Sequence, residues 1–190
     1  MTLERRVARI LRQALEQGAS VEIDGLGTFL PGRKQGFRFL AQTEPQVFIA
    51  YVQEDLRAVR KLCRVFEEHG FDPWLDKEKL MPGQNWPRAI ETAIHTSDFV
   101  VACFSHRSVS KRGSFHAELR FALSAATQVP LDEVFLIPLR LDACVVPPKI
   151  TKQTQYVNLF PNWTRGCRKM LAVMNAQLEN RRKKRLPLAG

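Results

Sequence analysis

The chain has 190 residues, 45% of them hydrophobic and 25% charged, with a formal net charge of +10. That length suits one domain of ordinary size plus a small appendage, and that hydrophobic content excludes a chain disordered throughout. No apolar run approaches the roughly 18 residues that cross a bilayer, and Met1 to Arg6 opens an amphipathic helix rather than a secretory signal, so a cytoplasmic protein is expected.

Leu3, Val7, Ile10, Leu11, Ala14 and Leu15 recur at helical spacing, with Arg and Glu opposite them, and Gly18 ends the helix. Val21-Glu22-Ile23 alternates as a strand does, Asp24-Gly25 predicts a tight turn, and a second strand begins near Gly27. Residues 1–41 thus read as a small α+β unit, a helix plus a β-hairpin, followed by a linker at 42–45. A unit of about 40 residues buries too little of its own surface to stand alone. It is expected to pack on the next domain or on another chain.

From residue 46 to 178 strand and helix signals alternate. Val47 to Tyr51 predicts a buried strand, and Leu56, Val59, Leu62, Cys63 and Phe66 mark one face of a helix closed by Gly70. Phe71 to Leu75 predicts a second strand, and Asn85 caps the next helix with Pro87 in its first turn. Phe99 to Phe104 is a continuous apolar run, as a central parallel strand buried on both faces should be. A helix from about Ser114 to Thr127, strands at Val134 to Leu139 and Tyr156 to Leu159, and a helix from about Thr164 to Leu178 complete the series. Such alternation predicts a parallel sheet with helices on both faces and a functional crevice beyond the carboxyl ends of the strands. Tyr51 to Asp55, Asp76 to Trp86 and Ser105 to Glu118 then share one rim, with Asp55 expected to cap the helix that starts there.

Two further features bear on function class. Cys63, Cys103, Cys144 and Cys167 are scattered, with neither metal-ligand spacing nor a secreted disulfide pattern, so reduced thiols and no metal are expected. Residues 181–185 are five consecutive cations. Within residues 179–190 they are expected to form a solvated, disordered tail, the alternative being contact with nucleic acid or an anionic surface.

Three ordered segments now resemble a known family. Phe48-Ile49-Ala50-Tyr51 with Glu54-Asp55, then Gly70 to Asp76 with Leu80 to Trp86, then Ser105 to Leu119 carrying Glu118-Leu119, are similar to the successive motifs of TIR domains. Ile137-Pro138-Leu139 and Val157 to Phe160 match the weaker later strands. The resemblance implies a flavodoxin-like fold with a five-stranded parallel sheet. Separately, Ala14 to Phe29 is similar to the helix-to-hairpin core of HU/IHF proteins, which dimerise through that core and bind DNA with β-arms. One helix is missing at the front and no arm-length ribbon precedes the linker, so self-association is implied more than DNA contact.

TIR domains divide into signalling scaffolds and enzymes that cleave NAD⁺ at the nicotinamide–ribose bond. Nicotinamide leaves as a neutral base while the ribose becomes oxocarbenium-like, so one fixed carboxylate near C1′ stabilises the developing charge. The resemblance assigns that role to Glu118, whose alternative is an ordinary helix Glu favoured by the positive end of the dipole. It implies a substrate floor of Ala50, Tyr51 and Val52, loop contacts from Asp76, Lys77 and Leu80, and helix contacts from Ser114 and Phe115. Enzymatic relatives often carry an aromatic residue where Ser114 stands, and Phe115 supplies a ring one position on. His116 reads as a surface helix residue, and Trp74 as sheet packing. NAD⁺ would be a substrate and not a bound cofactor, since no dinucleotide-binding glycine motif is present. The expected reading is an NAD⁺ hydrolase of the antiviral immune-effector type that works when TIR domains assemble, giving nicotinamide and ADP-ribose or a cyclic ADP-ribose variant. A non-enzymatic TIR adaptor and a DNA-associated protein using residues 1–41 and the basic tail are the alternatives.

Overall fold

A computed structural model describes residues 3–23, 27–32, 36–41, 44–75, 83, 85–110, 114–130 and 132–185. They fall into two compact units, divided between Glu44 and Pro45.

In the first unit the amphipathic pattern forms helix α1 (Leu3–Glu16), and Gly18 takes the left-handed φ of +79° that ends it. An antiparallel sheet follows, with β1 (Val21–Ile23), β2 (Gly27–Pro31) and β3 (Phe37–Ala41) in the order β1-β2-β3. The third strand corrects the expected single hairpin. Its source is aromatic pairing, since Phe29 stands opposite Phe39 and its ring centroid lies 4.7 Å from Phe39 and 5.5 Å from Phe37. The expected turn at Asp24-Gly25 lies outside the described residues.

The second unit is a parallel sheet of five strands in the order β5-β4-β6-β7-β8, where β4 is Gln46–Ala50, β5 Asp72–Trp74, β6 Phe99–Phe104, β7 Leu136–Arg140 and β8 Val157–Asn158. The period-2 alternation sorts side chains to its two faces. Val47, Ile49, Val101 and Cys103 join one core cluster with Val59, Leu62 and Phe66 of α2 (Leu56–Glu67) and Met170, Leu171 and Met174 of α7 (Trp163–Arg185). Phe48, Ala50, Val100, Ala102 and Phe104 join the other with Ile90 and Ile94 of α3 (Trp86–Thr96), Phe115, Leu119 and Ala122 of α5 (Ser114–Ala126), and Ile150 of α6 (Pro148–Thr151). All six residues of β6 are buried, which explains their unbroken apolar character. A short helix α4 (His106–Ser110) leads from β6 towards α5.

Local signals act as anticipated at two helix ends. Asn85 Oδ1 accepts from the Arg88 backbone N–H at 3.2 Å, capping α3 with Pro87 in its first turn. Past α2 the backbone N–H of Phe71 returns to the Phe66 carbonyl at 3.1 Å, and Gly70 supplies the φ of +75° that this reversal requires.

The last helix does not stop near Leu178. It continues to Arg185, and so removes residues 179–185 from the expected disordered tail. Tertiary partners hold it: Gln177 Oε1 accepts from the Val134 N–H at 3.1 Å, Arg181 Nε meets Glu133 Oε2 at 2.8 Å, and Lys184 Nζ meets Asp132 Oδ2 at 2.7 Å. Among the described residues no helix is long and apolar enough to cross a membrane.

Candidate functional site

The sheet order reverses between β4 and β6. The chain leaves β4 towards β5 at one edge and returns through α3 to β6 on β4's other side. A crevice opens at such a switch point, beyond the carboxyl ends of the two strands. Ala50 pairs with Ala102 in the last register of the β4–β6 ladder, so Tyr51 to Asp55 and Ser105 to Ser108 flank this point.

Among the described residues, the side chains packed on one side of the switch point are mostly apolar. Ala50, Val52, Phe104 and Phe115 share a core cluster, and Phe115 meets Phe104 edge-on with centroids 5.5 Å apart. Glu118 follows Phe115 by one helical turn and is only 2% exposed. It shares a helix face with Phe115 and Ala122, both of which pack on the sheet. Placing a carboxylate in such surroundings is costly unless it is hydrogen-bonded or used. Glu118 is therefore not an ordinary exposed helix residue. Ser114 opens α5, four positions before it.

The structure separates other expected members of the site. Ala50 and Val52 face α3 and α5, but the Tyr51 side chain belongs to the opposite cluster with α2 and α7, so it is not beside Phe115. The alternation of the strand produces this split. Asp76, Lys77 and Leu80 lie outside the described residues. Trp74 stacks on Phe48 at 5.0 Å, whereas Trp86 is half exposed at the start of α3. His116 is partly exposed, with its ring 5.7 Å from that of Phe115.

A polar network ties the rim together on the α2 side. Ser105 Oγ donates to Asp55 Oδ2 at 2.5 Å, and Arg107 Nη1 approaches Asp55 Oδ1 at 3.4 Å. Ser105 and Ser108 close on each other through reciprocal bonds from backbone N–H to side-chain hydroxyl, 2.8 and 3.1 Å long. Asp55 occupies the cap position of α2, yet its side chain makes no capping bond. The carboxylate turns to Ser105 instead, which corrects the expected helix-cap role. The signal for this network was present as Ser-x-x-Ser after an apolar strand, but its partner lies 50 residues earlier in the chain.

A second carboxylate ties β6 to the end of β7. Asp142 accepts from the His106 and Cys144 backbone N–H groups at 3.1 and 3.0 Å and pairs with His106 Nδ1 at 2.9 Å. Partial burial opposes ionisation of Asp142, but these hydrogen bonds together outweigh it and hold the carboxyl below the usual range. Cys103 lies beneath the rim, where burial pushes its thiol well up and the Asp55 charge adds to that effect. It is a packed neutral thiol and not a nucleophile. All four cysteines are free and buried, and among the described residues no His, Cys, Asp and Glu cluster could hold a metal ion.

Comparison with known proteins agrees with this architecture. The TIR domain family profile matches residues 47–171. The TIR domain of the Toll-related receptor TRR-2 from Hydra magnipapillata superposes with a TM-score of 0.57 at 20% identity, covering 68% of this chain and 97% of that one. A prokaryotic SEFIR domain gives a TM-score of 0.53 at 17% identity, covering 68% and 98%. At these identities the likeness is one of fold. A Sinorhizobium fredii (strain NBRC 101917 / NGR234) protein called "Uncharacterized protein y4cD" is 28% identical over 116 residues, which are 61% of this chain but 18% of that protein.

Proposed function

The chain belongs to the TIR domain family, and on that premise we propose that its second unit hydrolyses NAD⁺ at the nicotinamide–ribose bond. The observation that carries this reading is Glu118, a carboxylate 2% exposed on the face of α5 that packs on the sheet at the switch point. A carboxylate held out of water on the sheet-facing side of a helix is a candidate for chemistry. In the proposed reaction the C1′–N bond breaks and nicotinamide departs with the bonding pair as a neutral base. Glu118 stabilises the oxocarbenium-like ribose, and water adds at C1′ and loses a proton, giving ADP-ribose. Phe115 and the strand end at Ala50 and Val52 form the apolar wall. Asp76, Lys77 and Leu80 are proposed to reach the adenosine side. NAD⁺ is thus a substrate, with no bound cofactor.

Assembly is part of the proposal. The first unit exposes Val7, Ile10, Phe37 and Phe39, which supports a role in bringing copies together in the manner of an HU-like unit. The profile match starts at residue 47 and leaves this unit to its own residues. A cytoplasmic antiviral effector activated by such assembly is the cellular role proposed.

Near-complete burial of Glu118 also favours a second reading, a TIR adaptor whose carboxylate never meets a substrate. NAD⁺ turnover by concentrated protein separates the two. The hydrolase reading expects nicotinamide release that falls roughly 100-fold or more in Glu118→Gln. Absence of turnover at every concentration leaves the adaptor, and full activity in Glu118→Gln means another residue stabilises the ribose.

A further inference from the structure

The two faces of the sheet differ sharply in charge. On the α3/α5 face each helix carries one Arg and one Glu, namely Arg88 with Glu91 and Glu118 with Arg120. On the other face, α2 holds Arg57, Arg60, Lys61 and Arg64 against one acid, Glu67 in its last position, and α7 holds Arg165, Arg168 and Lys169 in its first turns, with its one acid, Glu179, beyond them. Arg57, Arg60, Lys61 and Arg64 fall at i, i+3, i+4 and i+7, so they form one stripe about 10 Å long along the helix.

The stripe lines an open groove of about 860 Å³. Its walls are α2 and Arg107 of α4, with Trp163 at the start of α7. Lys61 Nζ lies 4.5 Å from the centre of the Trp163 ring, which brings the α7 terminus against the stripe. Glu54 and Asp55 also border the groove, but the Asp55 carboxylate is already engaged by Ser105 and Arg107. Arg165, Arg168 and Lys169 stand exposed on the first two turns of α7.

We propose that the α2/α7 face binds the phosphate backbone of single-stranded nucleic acid, with Arg57, Arg60, Lys61 and Arg64 as the contacting row and the α7 cations as its continuation. A mononucleotide or free phosphate needs two or three cations in one place, whereas this row extends along one helix, and a second helix on the same side of the sheet carries further cations. A concave groove admits a single strand more readily than the wider duplex. A flat bilayer would not reach its floor, and among the described residues Val173 is the one large exposed apolar side chain on these two helices. The assignment is independent of NAD⁺ chemistry at Glu118, on the other sheet face. It is also distinct from the basic run at 181–185, where Arg181 and Lys184 are paired with acids of the same unit.

The test is fluorescence anisotropy of the full chain with a labelled 20-nucleotide oligouridylate over a NaCl series. The comparison proteins are Arg57→Gln/Arg60→Gln/Arg64→Gln and, for the cations of α1, Arg5→Gln/Arg9→Gln/Arg12→Gln, each first shown by circular dichroism to be folded. The expected result is salt-sensitive binding that weakens at least tenfold in the α2 variant, with the slope of log K against log salt reduced by about 2, near 0.7 for each lost contact. The α1 variant should lose much less. No binding by the wild type, equal affinity in the α2 variant, or loss confined to the α1 variant overturns the proposal. Tighter binding of a 20-base-pair duplex overturns the choice of a single strand. Sedimentation with phosphatidylserine vesicles in the absence of oligonucleotide binding would assign the face to lipid instead.

Discussion

Ser105 Oγ donates to Asp55 Oδ2 across 2.5 Å and so links the turn after β4 to the turn after β6 at the point where the sheet order reverses. Both residues are buried, at 2% and 5% exposure, so water cannot replace either partner. Ser105→Ala should therefore destabilise the second unit by about 2 kcal/mol, the range for a lost bond to a charged group. Urea unfolding measures it, and a cost below a few tenths of a kcal/mol would show that the bond is not formed in solution.

Gly166 lies where α7 crosses β8. A methyl group there would collide with the Asn158 carbonyl oxygen and come within 2.9 Å of Leu159 Cα, both of which are backbone. Gly166→Ala gains up to about 1 kcal/mol of helix propensity. Overpacking against rigid backbone costs about 3 kcal/mol. The collision wins, and the variant should unfold at clearly lower urea; a stabilised Gly166→Ala would mean that α7 does not approach β8 so closely.

Arg181 is the residue that keeps the end of α7 on the domain. It pairs with Glu133 and Asp98 while largely shielded from water, and its guanidinium lies 5.4 Å from the Phe99 ring centre. Arg181→Ala should cost about 1–2 kcal/mol. Amide exchange should show lost protection at residues 179–184, whereas unchanged protection would place the anchor elsewhere.

Asp142 sets an acid-side dependence. Its carboxyl is held below the usual range in the folded state, so its contribution is present above the unfolded value of about 4 and disappears as pH falls through the folded value. The side chain is 42% exposed, and solvent screening limits the effect to about 0.5 kcal/mol. Asp142→Asn should narrow the stability difference between pH 7 and pH 3 relative to wild type. Parallel pH profiles for the two proteins would rule this contribution out.

Much of the architecture followed from patterns a few residues long. The apolar run at Phe99–Phe104, the helical spacing from Leu56 to Phe66, the Asn85 cap and the Gly70 reversal depend on periodicity and backbone conformation, which neighbouring residues set. The location of Glu118 on a helix after the third strand of the parallel sheet was legible in the same way. Its near-complete burial was not, because that depends on α5 packing against α3 and the sheet, which arrive from elsewhere in the chain.

Pairings over long separations were fixed instead by packing of the whole domain. Asp55 occupies a cap position, and only the arrival of Ser105 and Arg107 turns its carboxylate away from the helix. Charge alone made residues 181–185 look like a solvated tail, but acids from the loop before β7 continue the helix through them. The cations of α2 and α7 lie about a hundred positions apart in the sequence and become one face because both helices cover the same side of the sheet. Local patterns determine which elements form and which way their side chains alternate. Which charges meet depends on strand order, and strand order is settled by packing of the whole sheet.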